Sequence, residues 1–196
     1  MSGSQCCENP PTLSSSSGGG GSVAEIGGLK AYITGPSDSK LAILLISDIY
    51  GYEAPNLRKL ADKVASIGFY VVSHGTDKGF EDAKPAVVAL RSKGIHAIGA
   101  AGFSKVVVEL AKSEYIQAAV LLHPSVFTVD DIKEIKAPIA FEEVLYARPE
   151  IKGYVKIFPG VAHGWTVRYK TEDEKAVKHA EEAHQNILDW FTEHVK

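Results

Sequence analysis

From Val23 onward the chain alternates short apolar runs with longer segments whose apolar residues return every three or four positions. Leu41 to Ile46 is apolar at every position, which suits a strand covered on both faces of a sheet, where neither side can be given to polar residues. Leu29 to Thr34, Phe69 to Val72, Ile95 to Ala101, Ala118 to Leu122 and Tyr154 to Phe158 read as further strands. Pro55 suits a first helical position, and Leu57, Leu60, Ala61, Val64 and Ala65 follow at helical spacing until Gly68 stops the pattern. Ala83 to Arg91, Ser104 to Lys112 and a stub from Glu142 to Ala147 read as helices. Glu172 to His194 reads as a long one, with Ala176, Ala180, Ala183, Ile187, Leu188, Trp190 and Phe191 along one stripe. Strands alternating with helices favour parallel pairing. The expected fold class is therefore α/β: a doubly wound, mostly parallel sheet in a three-layer sandwich, with ligands bound beyond the carboxyl ends of the strands.

Composition narrows this picture. A chain of 196 residues suits one domain, expected over residues 23–196 and preceded by a Ser/Gly-rich disordered tail over 1–22. The net charge of −3 gives no reason to expect nucleic acid or an anionic membrane as partner, so a small molecule is the expected ligand. Cys6 and Cys7 are adjacent in the tail, where they form neither a staple across the fold nor a metal site of spaced ligands. Gly18 to Gly21 lacks the strand, helix and lysine of a phosphate loop, and no cofactor or metal is expected. No apolar stretch approaches the roughly 20 residues that span a bilayer, and a cytoplasmic monomer is expected.

The candidate chemistry gathers at the strand ends. His163, in Gly160-Val161-Ala162-His163-Gly164-Trp165, lies between the last strand and the last helix. There an imidazole can take a proton from a nucleophile and return it to a leaving group. Gly102-Phe103-Ser104 leaves a strand and enters a helix, the setting of a nucleophile elbow. Ser104 is the candidate nucleophile, although Val106 occupies the elbow's last small position and a serine here also serves as a helix N-cap. Asp48, just past the second strand, reads either as a turn residue or as a charge facing the pocket. His123, at the end of the run Ala118 to Leu122, reads either as a substrate-binding residue facing the pocket or as a hydrogen-bonded histidine at a strand end, and Arg168 as either a solvated cation or an anion contact. Glu142 and Glu143 are adjacent on the expected helix stub and point about 100° apart, so they read as a solvated face rather than a glycosidase pair.

Four segments carry a resemblance: Gln5 to Pro11, Asp48-Ile49-Tyr50-Gly51-Tyr52-Glu53-Ala54-Pro55-Asn56, Leu122-His123-Pro124-Ser125 and Phe158-Pro159-Gly160-Val161-Ala162-His163-Gly164-Trp165. On these the chain resembles the dienelactone hydrolase family, and within it plant members labelled endo-1,3;1,4-β-glucanase. The resemblance implies an α/β-hydrolase fold and cleavage of a small ester or lactone by a cysteine, an aspartate and a histidine matching His163. It also implies that Asp48 contacts the resting nucleophile, that the Ile49 amide is an oxyanion donor and that Arg168 contacts a substrate carboxylate, with His123 nearby. Two of the three catalytic residues are replaced. Ser104 stands at the cysteine's place, and Ala137 to Ala140 passes directly into Phe141-Glu142-Glu143, where relatives continue a strand and carry the aspartate. With Ser73-His74-Gly75 also standing for a longer strand end, strand ends and active-site loops are expected to be shortened, leaving Ile139 and Phe141 uncovered at an open sheet edge. The expected function is a hydrolase of small esters or lactones with impaired activity. The alternatives are an inactive truncated isoform or small-ligand-binding pseudoenzyme and, with less support, β-glucan hydrolysis.

Overall fold

The computed structural model describes residues 10–11, 20–75, 79–103, 105–123, 128–142 and 153–196. Strands and helices alternate as β1 (Ser22–Ile26), β2 (Leu29–Thr34), β3 (Leu41–Ile46), α1 (Pro55–Ser66), β4 (Tyr70–His74), α2 (Phe80–Ser92), β5 (Ala97–Gly102), α3 (Lys105–Ala111), β6 (Ala118–Leu122), α4 (Val129–Lys133), β7 (Ile139–Glu142), β8 (Gly153–Val155) and α5 (Glu174–His194). One eight-stranded sheet runs in the order β1-β2-β4-β3-β5-β6-β7-β8. β1, β2 and β4 pair antiparallel, and every pair from β4 through β3 to β8 is parallel. From β3 the chain steps one way to β4 and then back past β3 to β5, so the strand order reverses between β3 and β5. In doubly wound sheets that reversal opens the crevice where ligands sit.

Side chains alternate between two cores, as the pleat requires. On β3, Ala42, Leu44 and Ile46 face the layer containing α2, α3 and α4, while Ile43 and Leu45 face the layer containing α1 and α5. All five are buried, which is why this strand reads as an unbroken apolar run.

Several elements depart from expectation. Ser22 opens β1, so ordered backbone reaches back across the expected boundary, and Gly20 and Gly21 donate to the Asp62 carboxylate and the Tyr32 hydroxyl. Gly27 and Gly28, with φ of 61° and 83°, close β1 onto β2 as a two-residue hairpin, a turn that needs positive φ at both positions. Ile139 to Glu142 is strand β7, not the approach to a helix: Glu142 is its last residue, and 143–147 lie outside the described residues. Ile139 and Phe141 are 3% and 5% exposed, because β7 sits between β6 and β8 and both side chains enter the core under α3 and α4. The expected bare apolar edge is therefore not found there.

α5 is held to α1 by polar as well as apolar contacts. Lys63 of α1 pairs with Glu181 of α5 and also reaches Nδ1 of His184 at 3.2 Å. The other ring nitrogen, Nε2, lies 2.8 Å from the Thr166 carbonyl. An ammonium only donates and a carbonyl only accepts, so His184 carries its proton on Nε2. Burial of this ring, helped by the Lys63 charge, lowers its pKa to about 4, against the Thr166 hydrogen bond and the Glu181 charge that favour protonation. Acidification from about 6.5 to 4 then protonates His184 in the unfolded chain first, so stability present above that window falls across it, by on the order of 3 kcal/mol. His184→Gln keeps a donor toward Thr166 and removes the titration. Chemical denaturation at a series of pH values should show a shallower loss in this variant, with part of the remaining slope due to His123 and His74, whose pKa values burial also lowers, and part to carboxylates held low by lysines, such as Glu182 beside Lys156.

Candidate active site

The loop after β8 is built by packing and by glycine. Phe158 and Trp165 meet with ring centroids 4.5 Å apart and pack on Ala183 of α5, fixing the two ends of the loop to that helix. From Gly164 the backbone closes one helical turn, with the amides of Val167 and Arg168 donating to the Gly164 carbonyl at 3.1 and 2.8 Å. Gly164 has φ of 88°, and the Arg168 guanidinium lies so close over it that a Cβ would stand 1.9 Å from Nε. Any side chain here would be strained by the positive φ and would have to displace the guanidinium.

Arg168 is 9% exposed, so the reading as a solvated cation is corrected. Its Nε lies 3.3 Å from Oδ2 of Asp48, and its Cζ stands 5.3 Å from the centroid of the Tyr50 ring. Asp48 shapes a turn and also meets a cation. Its Oδ1 accepts from the Tyr50 amide at 3.0 Å and its carbonyl from the Gly51 amide at 3.1 Å, which shapes the turn after β3, while Oδ2 faces Arg168. Burial pushes the Asp48 carboxyl up; the Tyr50 amide, Arg168 and His163 act in the opposite direction. Between them Ile49 is 55% exposed, and its amide makes no hydrogen bond to another described residue.

His123, at the end of β6, is fully buried and has φ of 36°, a left-handed conformation unusual for a residue with a side chain. Its ring stacks on Phe103 with centroids 4.6 Å apart, and the His163 ring stands edge-on to it at 4.9 Å and 78°. The satisfied histidine expected at this position is only half found: Nδ1 lies 3.1 Å from the Thr166 hydroxyl, whereas Nε2 is buried without a hydrogen bond. Burial lowers the His123 pKa well below its ordinary value, and its neighbours His163 and Arg168 act in the same direction, so the ring is neutral near neutral pH.

The strand-end rule thus gathers four of its candidates, Asp48, His123, His163 and Arg168, with Ile49 beside Asp48 in the chain. Ser104 lies outside the described residues; β5 ends at Gly102 and α3 begins at Lys105. Glu142 ends a strand and Glu143 is not described, so the adjacent pair expected on a helix is not found as such. Thr166 and His184 were missed. A histidine between Ala183 and Ile187 in the buried stripe of α5 was the available signal. A pocket of about 410 Å³ opens beside His163, lined also by Val161, Trp165, Arg168, Tyr169 and His179. Among the described residues no group of His, Cys, Asp and Glu side chains is arranged to hold a metal ion, and no helix is long and apolar enough to cross a membrane.

No family model matches the chain. An endo-1,3;1,4-β-D-glucanase of Zea mays is 36% identical over 165 residues, covering 69% of this chain and 54% of the maize protein, so the chain spans about half of that relative's length. A carboxymethylenebutenolidase homologue of Mus musculus, a dienelactone hydrolase by another name, is 26% identical and covers 87% of this chain and 90% of its own. The solved dienelactone hydrolase of Anabaena variabilis superposes with a TM-score of 0.61 at 15% identity, covering 90% of this chain and 97% of that one. The chain belongs to the dienelactone hydrolase family. Its fold is accordingly the α/β-hydrolase fold, with the mixed edge β1-β2-β4 and the parallel remainder described above. Compared with its mouse relative this family member is short. An alignment of 220 positions takes up 87% of its 196 residues, about 170, so about fifty positions stand opposite gaps.

Gly164→Ala is expected to drive the Arg168 guanidinium off its seat and so open the ion pair with Asp48. With the positive φ adding strain, the cost should be about 1–3 kcal/mol. Urea denaturation measures it; an unchanged midpoint and slope would mean that the arginine is not confined by this glycine.

Proposed function

We propose that this dienelactone hydrolase relative cleaves small carboxylic esters or lactones, slowly, with Ser104 as nucleophile and His163 as its base. The observation that carries the reading is the setting of His163: an imidazole at the carboxyl ends of the parallel strands, against His123 and beside both a pocket and the Asp48–Arg168 pair. The assignment of Ser104 rests on its sequence position between β5 and α3. In this scheme His163 accepts the hydroxyl proton as the serine oxygen attacks the carbonyl carbon. The amide of Ile49 meets the developing oxyanion, and the same proton passes to the leaving alkoxide. Water then attacks the acyl-serine by the same route, releasing the acid. The sequence offers no match for the family's aspartate, and loss of an orienting carboxylate costs about 10⁴ in rate in a serine triad, hence slow turnover.

A second reading, a small-ligand-binding protein without turnover, is favoured by the roughly fifty aligned positions that have no counterpart in this chain. One experiment separates the two. Purified protein is assayed with an activated aryl ester, and Ser104→Ala and His163→Ala are assayed beside it. The hydrolase reading expects slow release of the phenol, reduced to background in both variants, and labelling of Ser104 by an organophosphonate. Equal turnover in Ser104→Ala rejects the serine, and no turnover with no labelling leaves the binding reading. Reducing ends released from mixed-linkage β-glucan would instead bring the protein under the name of its maize relative.

A further inference from the structure

Thr166 is engaged twice. Its hydroxyl lies 3.1 Å from Nδ1 of His123, and its carbonyl accepts from Nε2 of His184 at 2.8 Å. His184 is in turn fixed by Lys63 at its other nitrogen, and Lys63 pairs with Glu181 at the protein surface. A continuous line of polar contacts therefore runs from the α1–α5 interface, through the loop that carries His163, to the histidine at the end of β6. Every ring and hydroxyl along it from His184 inward is buried.

The inner end of this line is unusual in three independent respects. His123 holds φ of 36° where no glycine relieves the backbone, a conformation that persists only where the surroundings over-determine it. Its Nε2 is buried without a hydrogen bond, although a buried polar atom ordinarily finds one. Among the described residues its ring meets Phe103, stacked at 4.6 Å, and His163, at 4.9 Å and 78°. A neutral ring that donates from Nδ1 to Thr166 leaves only a lone pair unmet, whereas the opposite tautomer would bury an orphan N–H, the costlier of the two. The strained backbone and the unmet nitrogen are both costs. What accompanies them is a fixed contact between the two rings, centroids 4.9 Å apart and planes at 78°.

We propose that His123 is a positioning residue for His163: stacked on Phe103 and clamped through Thr166 to His184, it sets the place of the His163 ring. The charged and titratable groups that face this arrangement are Asp48 from the turn after β3, Arg168 from the loop after β8, and Lys63 and Glu181 around His184. A loosened clamp lets His163 move relative to Asp48 and Arg168, whose opposite charges act on its proton in opposite senses, so its titration reports its place directly.

The effect on turnover rests on the reading of His163 as the base, but the effect on titration does not. The full chain is labelled with ¹⁵N-histidine, and the ring nitrogens of His163, assigned with His163→Gln, are followed against pH in the wild-type protein, Thr166→Val, Thr166→Ser and His123→Asn. In Thr166→Val the midpoint of His163 should move by about half a unit or more. The kcat for an activated ester should fall about ten-fold with KM unchanged, as expected when a reacting group is misplaced rather than removed. Thr166→Ser, which restores the hydroxyl, should recover both. His123→Asn tolerates the left-handed backbone and removes the ring, and should move the midpoint further. If it does not melt cooperatively, Thr166→Val decides alone. A His163 titration in folded Thr166→Val that superimposes on wild type overturns the proposal, whether or not the protein cleaves esters. If wild-type protein cleaves none, the hydrolase reading falls while the midpoint still decides the clamp.

Discussion

A guanidinium taken out of water must be met by an anion, and at Arg168 that requirement organises the whole strand-end face. The arginine cannot shed its proton, so its charge is permanent and its burial has to be compensated where it lies. Asp48 supplies the compensation, and in doing so joins the turn after β3 to the loop after β8, two segments more than a hundred residues apart in the chain. The demand propagates into local geometry. Gly164 exists to let the guanidinium pass, Tyr50 lies along its face, and the helical turn from Gly164 to Arg168 sets the direction in which it leaves the backbone. Breaking a buried ion pair by removing one partner costs about 3–5 kcal/mol in comparable pairs, which is why such a pair holds its two segments together. His163 lies one residue before Gly164, so its loop inherits this geometry.

How much of this could be read from the chain depended on whether burial left a periodic trace. β3 and β6 have the bounds that their residues predict, because strands buried in the centre of a sheet are apolar without interruption; β2, next to the edge and carrying Lys30, also has its predicted bounds. α5 begins two residues later than its stripe suggests and ends at the same histidine. β1 left almost no trace, since it is an edge strand with four of its five residues exposed. Only the Gly27-Gly28 hairpin turn announced it. β7 was masked by its length, four residues behind a proline, and α4 by having a single turn. The evidence for α4 was local: the Thr128 side chain accepts from the Asp131 amide while the Asp131 carboxylate accepts from the Thr128 amide.

The candidate site was legible to the same extent. A rule about where doubly wound sheets keep their chemistry pointed to Asp48, His123, His163 and Arg168, and these do converge. What it could not give was direction. Whether an arginine faces solvent or a carboxylate depends on the side chain's path over a distant glycine, and sequence spacing has no term for that. Thr166 and His184 were invisible for a related reason: their bonds join a hydroxyl to a ring nitrogen and a ring nitrogen to a carbonyl across elements that share no repeat. Only the polar residue in an otherwise apolar stripe hinted at an inner network.

The pairing of Asp48 also bears on any acyl chemistry at this face. A lone carboxylate on the residue before an oxyanion donor would oppose the negative charge that develops on a carbonyl oxygen during attack, and in a water-poor pocket that opposition is poorly screened. Arg168 answers it, since an aspartate bound to a guanidinium presents a dipole rather than a net charge. The Tyr50 amide takes up the other carboxylate oxygen, so the turn that presents the Ile49 amide is rigid for the same reason that it is nearly neutral. In the proposed hydrolase the ion pair and the oxyanion donor would belong to one turn, Asp48 carrying the first and Ile49 the second.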